Sequence, residues 1–205
     1  MSSEALKLMC ALNRNELEVQ VGLQCAPLLT GIKISNLLTV PASMEAAAAR
    51  LFHRTGISLY TFCRFEGKVT FFLYRERPLK NYLSRPEIKK MMEALGYRGG
   101  SLPAILKWVA VRYSVYMVSR RNFPHEIGLL LGYPAEDVAG FIENGGKNFL
   151  YTGYWKVYGN LSKSLETFQG YDRAKERVVR MISKGEGVRD IIRFHAPDYR
   201  DKIAV

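Results

Sequence analysis

The chain has 205 residues, of which 48% are hydrophobic and 24% are charged. This balance is typical of a chain that buries a core, and it excludes disorder as a description of the whole chain. The formal charge is +11, and most of the excess lies between residues 68 and 121, which hold twelve Lys or Arg and three Asp or Glu.

The sequence also indicates where the protein works. Its longest apolar run, 102–118, is interrupted by Lys107 and Arg112 and is shorter than the ~20 residues of a membrane-spanning helix. The start of the chain lacks the basic and apolar regions of a secretory signal. Three cysteines at unrelated spacings do not indicate a disulfide framework. We therefore expect no membrane span, a cytoplasmic location and free thiols.

Short helices and strands alternate at the start of the chain. A helix is predicted over 4–12, and residues 17–21 fit either a strand or a helical turn. Pro27 is placed in the first turn of a short helix. A strand over 36–40 and an alanine-rich helix over 44–53 follow.

The clearest local signal is a β-hairpin. Two runs rich in β-branched and aromatic residues, 57–65 and 69–74, are separated by Glu66-Gly67-Lys68, which predicts a tight turn. Apolar side chains are expected on both faces of these strands. Helices should therefore cover the sheet on both sides.

The rest of the chain is predicted to be mainly helical. Strands that come early and helices that come late indicate an α+β fold, with a small antiparallel sheet made of the hairpin and one or two N-terminal strands, packed with about six to eight helices. We expect an α+β core over 1–160 and a C-terminal helical extension over 161–205, within a single domain. The later helices are predicted over 79–83, 86–95, 102–119, 124–131, 134–143, 162–183 and 188–194.

Several segments resemble one known family. The chain is similar to a bacterial family catalogued as domain of unknown function 3793, and the resemblance extends over roughly residues 25 to 171. It implies a bacterial origin and no particular activity, although some members are encoded near genes of iron uptake and flavodoxin. The segments that carry it are 25–33 (Cys-Ala-Pro-Leu-Leu-Thr-Gly-Ile-Lys), 123–128 (Phe-Pro-His-Glu-Ile-Gly), 131–134, 136–138, 140–142 and 155–158 (Trp-Lys-Val-Tyr).

One candidate site pairs a thiol with a histidine. Cys25 is expected near a helix N-terminus, where the helix dipole lowers a thiol pKa and favours the reactive thiolate. His125 is a possible general base, and Glu126 is a possible acid to orient its ring. The alternatives are that Cys25 is a small buried core residue and that the His125 ring fixes a loop. Three distant histidines predict no dedicated metal site, and the sequence names no cofactor.

A second candidate is a basic surface with interleaved tyrosines. Such a surface is suited to nucleic acid, to another polyanion or to an acidic partner, because arginine contacts phosphate and tyrosine stacks on bases. The alternative is a solvated face that only aids solubility. The candidate residues are Arg75, Arg77, Lys80, Arg85, Lys89, Lys90, Arg98, Arg112, Arg120 and Arg121.

A third feature is the aromatic cluster Phe149, Tyr151, Tyr154, Trp155 and Tyr158. It either lines a pocket for a planar ligand such as flavin or haem, or packs between sheet and helices. The leading hypothesis is an accessory protein of redox or iron metabolism that acts through Cys25 and His125. The alternative is a noncatalytic basic module that binds nucleic acid or another polyanion. The sequence does not decide whether the protein is an enzyme.

Overall fold

A three-stranded antiparallel sheet forms the centre of the computed structural model, which describes residues 2–97 and 99–195. Its strands are β1 (Ser35–Pro41), β2 (Ser58–Phe65) and β3 (Lys68–Tyr74), in the spatial order β1-β3-β2. Arg98 of the predicted basic surface, and residues 196–205 at the end of the predicted extension, lie outside the described residues.

The predicted hairpin is present and has the tightest common loop. Phe65 pairs with Lys68, so that Glu66 and Gly67 alone connect the strands. Both have positive φ, 47° and 70°, which is the requirement of a type I′ turn. A register shift between Thr61 and Cys63 adds a bulge to the first strand. The alternation of side chains across β2 is therefore interrupted at that point.

Helices and a short second hairpin complete the fold and confirm the α+β class. The described residues contain ten α-helices, more than the six to eight expected, and the two extra hairpin strands lie within the stretch 148–158. Their bounds are α1 (Ser3–Ala11), α2 (Leu17–Leu29), a 3-10 turn (Ala42–Met44), α3 (Glu45–Phe52), α4 (Glu76–Leu83), α5 (Pro86–Ala94), α6 (Leu102–Ser119), α7 (Glu126–Leu130), α8 (Ala135–Glu143), β4 (Tyr151–Thr152), β5 (Lys156–Val157), α9 (Leu161–Ser183) and α10 (Val188–His195).

The helix α2 differs from the prediction. Residues 17–29 form one helix, and Pro27 lies near its end rather than in its first turn. Val21, Cys25 and Leu28 recur at helical spacing and are fully buried. Their burial stabilises the continuous helix by more than the backbone hydrogen bond that Pro27 cannot donate.

The sheet lies between two helical layers. Leu38 of β1 and Phe71 of β3 point to a core cluster that also contains residues of α2, α3, α9 and α10. Leu37 and Phe72, their neighbours in sequence, point to the opposite cluster, which contains residues of α6 and α7. Successive residues of a strand face opposite sides, so the apolar character of both faces follows from this double cover.

The long helix α9 is part of this packing. It lies against α1 and α2, and its Val178 is buried in the core cluster of the first sheet face. Phe168, nearer its start, packs against the second hairpin. None of the described helices combines the length and the apolar composition needed to cross a membrane.

Candidate functional site

A pocket of about 380 Å³ opens where α7, α8 and the β4–β5 hairpin meet, and we call it the aromatic pocket. Its aromatic walls are Phe123, Tyr133, Phe141 and Trp155, and Leu37 contributes from the sheet. This is the size and character of a small-molecule site. The full lining is Leu37, Phe123, His125, Ile127, Gly128, Leu131, Tyr133, Asp137, Val138, Phe141, Thr152, Gly153, Trp155 and Lys156.

Five of the six segments that carry the family resemblance, all except 25–33, contribute residues to this pocket. All of its lining residues except Leu37, Thr152 and Gly153 lie in those segments. Four of these segments follow one another closely within residues 123–142, and the β4–β5 hairpin brings the fifth, 155–158, to the same place. The motifs therefore mark a spatial site and not only a run of helices.

Asp137 fixes the wall of the aromatic pocket. Its buried carboxylate accepts hydrogen bonds from the Trp155 indole N–H at 2.7 Å and from the backbone N–H groups of Tyr158 at 2.7 Å and Gly159 at 2.8 Å. A carboxylate with three donors is satisfied inside the protein. Asp137 thus attaches the hairpin to α8, and its role is structural rather than orienting His125.

A glycine allows this attachment to be close. A Cβ atom at Gly140 of α8 would lie 2.5 Å from the ring of Tyr158, which is shorter than any real contact. The absence of a side chain lets the Tyr158 ring lie directly on the helix backbone. The helix and the hairpin therefore meet without a gap behind the pocket.

His125 lines the pocket just before α7 begins. Its half-buried ring lies 5.7 Å from the Phe123 ring and 5.6 Å from the Phe141 ring, measured between centroids. Burial lowers the pKa of His125, and the charge of Arg112 lowers it further against the opposing effect of Glu126. At neutral pH the imidazole is therefore uncharged. Neither ring nitrogen has a hydrogen-bond partner among the described residues, so one nitrogen remains an open acceptor.

Lys156 adds the pocket's positive charge. Its ammonium donates a hydrogen bond to the carbonyl oxygen of Gly146 at 2.6 Å and lies 4.7 Å from the centre of the Phe149 ring. It also lies 5.7 Å from the Phe141 ring. The carbonyl and the two aromatic faces hold the cation in place without a carboxylate. Its charge is therefore not neutralised by an acid.

Glu126 does not orient His125 through a hydrogen bond. The fully buried carboxylate accepts at Oε1 a hydrogen bond of 2.6 Å from Tyr97, which lies between α5 and α6, and the same oxygen pairs with Arg112 of α6 at 3.0 Å. Oε2 has no hydrogen-bond partner among the described residues. Glu126 acts on His125 only through its charge, and its contacts attach α7 to α6.

Cys25 and His125 are not brought together. Cys25 is fully buried in the core cluster that contains Leu38, whereas His125 lines a pocket that contains Leu37. Adjacent strand residues face opposite sides, so the thiol and the imidazole lie on opposite sides of the sheet. The expected low thiol pKa is also not found, because burial raises the pKa of Cys25 to about 12. Its position inside α2, away from the helix N-terminus, removes the dipole effect.

A buried polar cluster surrounds the Cys25 thiol, and no pattern in the sequence predicts it. Asn36 donates from its side-chain amide to the Cys25 sulfur at 3.4 Å, and its amide oxygen accepts from the Lys33 ammonium at 2.9 Å. Burial lowers the pKa of Lys33 to about 8. The Lys33 ammonium lies 5.6 Å from the Tyr133 ring and 5.8 Å from the Tyr171 ring. Nothing in the spacing of Lys33 and Asn36 marks them as buried.

The predicted basic surface is divided. Lys80 and Lys89 line a groove that also contains Leu102, at the start of α6. Arg120 caps the other end of that 18-residue helix, roughly 27 Å away at 1.5 Å per residue, and Arg121 follows it. Arg77, Arg85 and Lys90 are exposed on α4 and α5 or between them. The described members of the set therefore include residues near both ends of α6.

Several of these basic side chains already have partners. Arg75 donates to the carbonyl oxygen of Leu28, Lys80 pairs with Glu76, and Arg112 pairs with Glu126. Arg85 lies over the Tyr82 ring and Arg120 over the Phe65 ring. These contacts reduce the number of cations in the predicted set that face solvent alone.

The aromatic cluster of the sequence analysis is only partly a pocket wall. Trp155 lines the aromatic pocket, whereas Tyr151 and Tyr154 contact Phe168 of α9. Phe123 and Phe141 are wall residues that lie outside that cluster. Both lie in the segments that carry the family resemblance, and this membership is the sequence feature that could have identified them as wall residues.

No metal site accompanies the pocket. Over residues 2–97 and 99–195, no three His, Cys, Asp or Glu side chains are grouped in a way that holds an ion.

The comparisons with known proteins give one result. A family model described as "Protein of unknown function (DUF3793)" matches residues 21–192. Neither the curated proteins nor the solved structures contain a match to the chain. The matched residues include both core clusters of the sheet and the whole aromatic pocket. Because the match covers most of its length, the chain belongs to the DUF3793 family.

Proposed function

We propose that the protein binds a planar aromatic molecule in the aromatic pocket, and that this molecule donates a hydrogen bond to His125. The observation that carries the proposal is an uncharged, half-buried imidazole without a protein partner in the wall of a mainly apolar cavity. A donor on the ligand would give this acceptor a partner inside the pocket in place of water.

The walls favour a flat ring system. Phe123 and Phe141 lie on either side of the His125 ring, and Trp155 stacks with Tyr133 at 4.9 Å between centroids. Aromatic rings in these positions can make stacked and edge-to-face contacts with a planar ligand. The volume of about 380 Å³ is near the lower end for ligand pockets, which suits a system of about two or three fused rings rather than a haem.

The charges narrow the class further. The Asp137 carboxylate already accepts three hydrogen bonds, so it has little remaining capacity to accept one from a ligand. Lys156 has no acid partner in its contacts, so a ligand that is neutral or singly negative is favoured. A flavin ring belongs to this class, and through it the proposal is compatible with the predicted accessory role in redox metabolism.

Two naphthalenes that differ in one donor test the proposal. 2-Naphthol has a hydroxyl donor, and 2-methoxynaphthalene has the same rings without it. Isothermal titration at pH 7.5 should give about tenfold tighter binding of the naphthol, because one hydrogen bond to the His125 ring nitrogen contributes a free energy of about that size. His125→Phe, which keeps a ring but removes the acceptor, should abolish this preference while both compounds still bind.

A filled pocket provides the control. Thr152→Trp places an indole inside the aromatic pocket and should prevent binding of both naphthalenes. Tyr151→Trp, at the neighbouring position outside the lining, should leave binding unchanged. Equal affinities in the two tryptophan variants, or no binding of either compound to the unaltered chain, would refute the proposal.

The preference should also depend on pH in one direction. The pKa of His125 is lowered below its ordinary value of 6.5, mainly by burial, so the ring keeps an acceptor nitrogen at pH 7.5 and loses it when it is protonated below pH 6.5. The tighter binding of 2-naphthol should therefore be lost as the pH falls through that lowered pKa. The binding of 2-methoxynaphthalene should change little.

Other predicted functions have less support. A thiol–histidine pair has no geometric basis, because the sheet separates Cys25 from His125. A role in iron metabolism stays a prediction. Binding of nucleic acid through the basic residues also stays a prediction, and their division between the two ends of α6 does not favour it.

A further inference from the structure

The outer face of α6 carries a line of apolar side chains that no part of the described chain covers. Trp108, Val111, Val115 and Val118 are 64%, 50%, 60% and 73% exposed. The opposite face of the same helix is buried on the sheet through Leu102, Leu106 and Val109. Large apolar residues that are exposed one by one need no explanation, but four in a line on one helix are unusual. We call these four residues the α6 seam.

The spacing of the α6 seam is that of a coiled coil. Its residues are separated by three, four and three positions, which places Trp108 and Val115 at one heptad position and Val111 and Val118 at the other. This alternation keeps a narrow apolar line along one side of a helix for three turns. A narrow line suits the side of another helix better than it suits a flat surface.

The charges beside the seam indicate what kind of helix it accepts. On a helical wheel Lys107 lies on one flank and Arg112 on the other, at the positions where coiled coils place their pairing charges. Lys107 is exposed, and 40% of the Arg112 side chain stays accessible beside Glu126. No Asp or Glu occurs between Glu93 and Glu126. Among the described residues the flanks therefore present cations and no exposed acid, although Arg112 shares its charge with the buried Glu126 whereas Lys107 has no acid partner.

A second copy of the chain does not fit this pattern. In a parallel pair Lys107 would face Arg112 of the other copy, and in an antiparallel pair each flank would face itself. Both arrangements bring like charges together. We therefore propose that the α6 seam docks an amphipathic helix of a partner protein whose apolar line is flanked by Asp or Glu.

Two designed peptides test the proposal directly. Both have about four heptads with Leu at the two apolar positions, and one has Glu and the other Lys at the flanking positions. Each peptide repels itself and stays monomeric. Fluorescence anisotropy with the full chain should show the acidic peptide bound about tenfold tighter than the basic peptide.

Variants locate the binding on the α6 seam. Val115→Glu, at a mostly exposed position, should weaken the acidic peptide by about tenfold or more without unfolding the chain. Leu6→Glu on α1, at a position that is likewise exposed (50%), is the matched control and should have no effect. Lys107→Glu should reduce the preference for the acidic peptide. Thr152→Trp, which fills the aromatic pocket, should not change peptide binding, so this test is independent of the ligand experiment.

Three results would overturn the proposal. One is equal affinity for the two peptides, and another is the same loss in Leu6→Glu as in Val115→Glu. The third is a different occupant: dimers of the chain in sedimentation velocity, or binding to vesicles of anionic lipid, that Val115→Glu removes. Either occupant would assign the seam to a second copy or to a membrane surface.

Discussion

Lys33 is a buried cation whose hydrogen-bond acceptor is an amide rather than a carboxylate. The Asn36 oxygen and the faces of Tyr133 and Tyr171 only partly replace the water that the ammonium loses. This explains why burial lowers the pKa of Lys33 from 10.5 to about 8, against the smaller opposing effect of the Cys25 thiol. The residue therefore affects stability through its proton.

The stability of the protein should rise with pH just above pH 8. Below pH 8 both folded and unfolded chains hold the Lys33 proton, and the folded state bears the full cost of the buried charge. Between pH 8 and about 9 the unfolded chain holds more of this proton than the folded chain, so the free energy of unfolding rises by up to about 1.4 kcal/mol per pH unit. Urea denaturation at pH 7.5, 8.5 and 9 would measure the slope.

Two variants identify the source of that slope. Lys33→Met removes the titrating group and should remove the rise, whereas Lys163→Met, an exposed lysine on α9, should keep it. An unchanged slope in Lys33→Met would contradict the prediction. The range ends near pH 9 because Cys25, whose folded pKa is raised to about 12, lowers stability once the unfolded thiol ionises.

The three cysteines should differ sharply in reactivity. Cys10 is exposed, and Cys25 and Cys63 are buried. With an aromatic disulfide reagent at pH 7.5, we expect one thiol to react quickly and the other two only after unfolding in urea. Rapid reaction of a second thiol in the native state, lost in Cys25→Ala, would restore the reactive-thiol hypothesis.

At the scale of the element, local patterns predicted most of the fold. The hairpin was predictable because Glu66-Gly67 can adopt the positive φ angles that a two-residue turn requires. The helix α6 was predicted with its observed bounds, because Pro103 is favoured in the first turn of a helix. Pro27 was misplaced because tertiary burial of α2 outweighed the local preference of a proline.

The attachment of the hairpin to α8 depends on Asp137. In Asp137→Asn an amide N–H₂ would replace one oxygen and face N–H donors, so at least one buried donor loses its acceptor. We expect a loss of about 2 to 4 kcal/mol in the free energy of unfolding, measured with urea. Asp190→Asn, on an exposed side chain of α10, should cost less than about 1 kcal/mol. A similar small loss in Asp137→Asn would show that its three hydrogen bonds do not support the pocket wall.

At the scale of the whole molecule, the sequence could not determine which side of the sheet each site residue occupies. From the sequence alone, Cys25 and His125 are compatible with a catalytic pair. In the fold they lie on opposite sides of the sheet, as do Leu37 and Leu38, which are neighbours in β1. The aromatic pocket was similarly hidden, because its walls come from segments that meet only in three dimensions. The family motifs contained most of its residues but not their arrangement.

The same scale gives α9 a further consequence. Phe168 near its start packs on the Trp155 indole, and Val178 near its end lies in the core cluster of the first sheet face, ten residues or about 15 Å further along. The single helix α9 thus connects the aromatic pocket to the core cluster on the other face of the sheet. Heating or proteolysis that detaches α9 would remove support from the pocket and from this core at the same time. A chain truncated before Leu161 would therefore lose both.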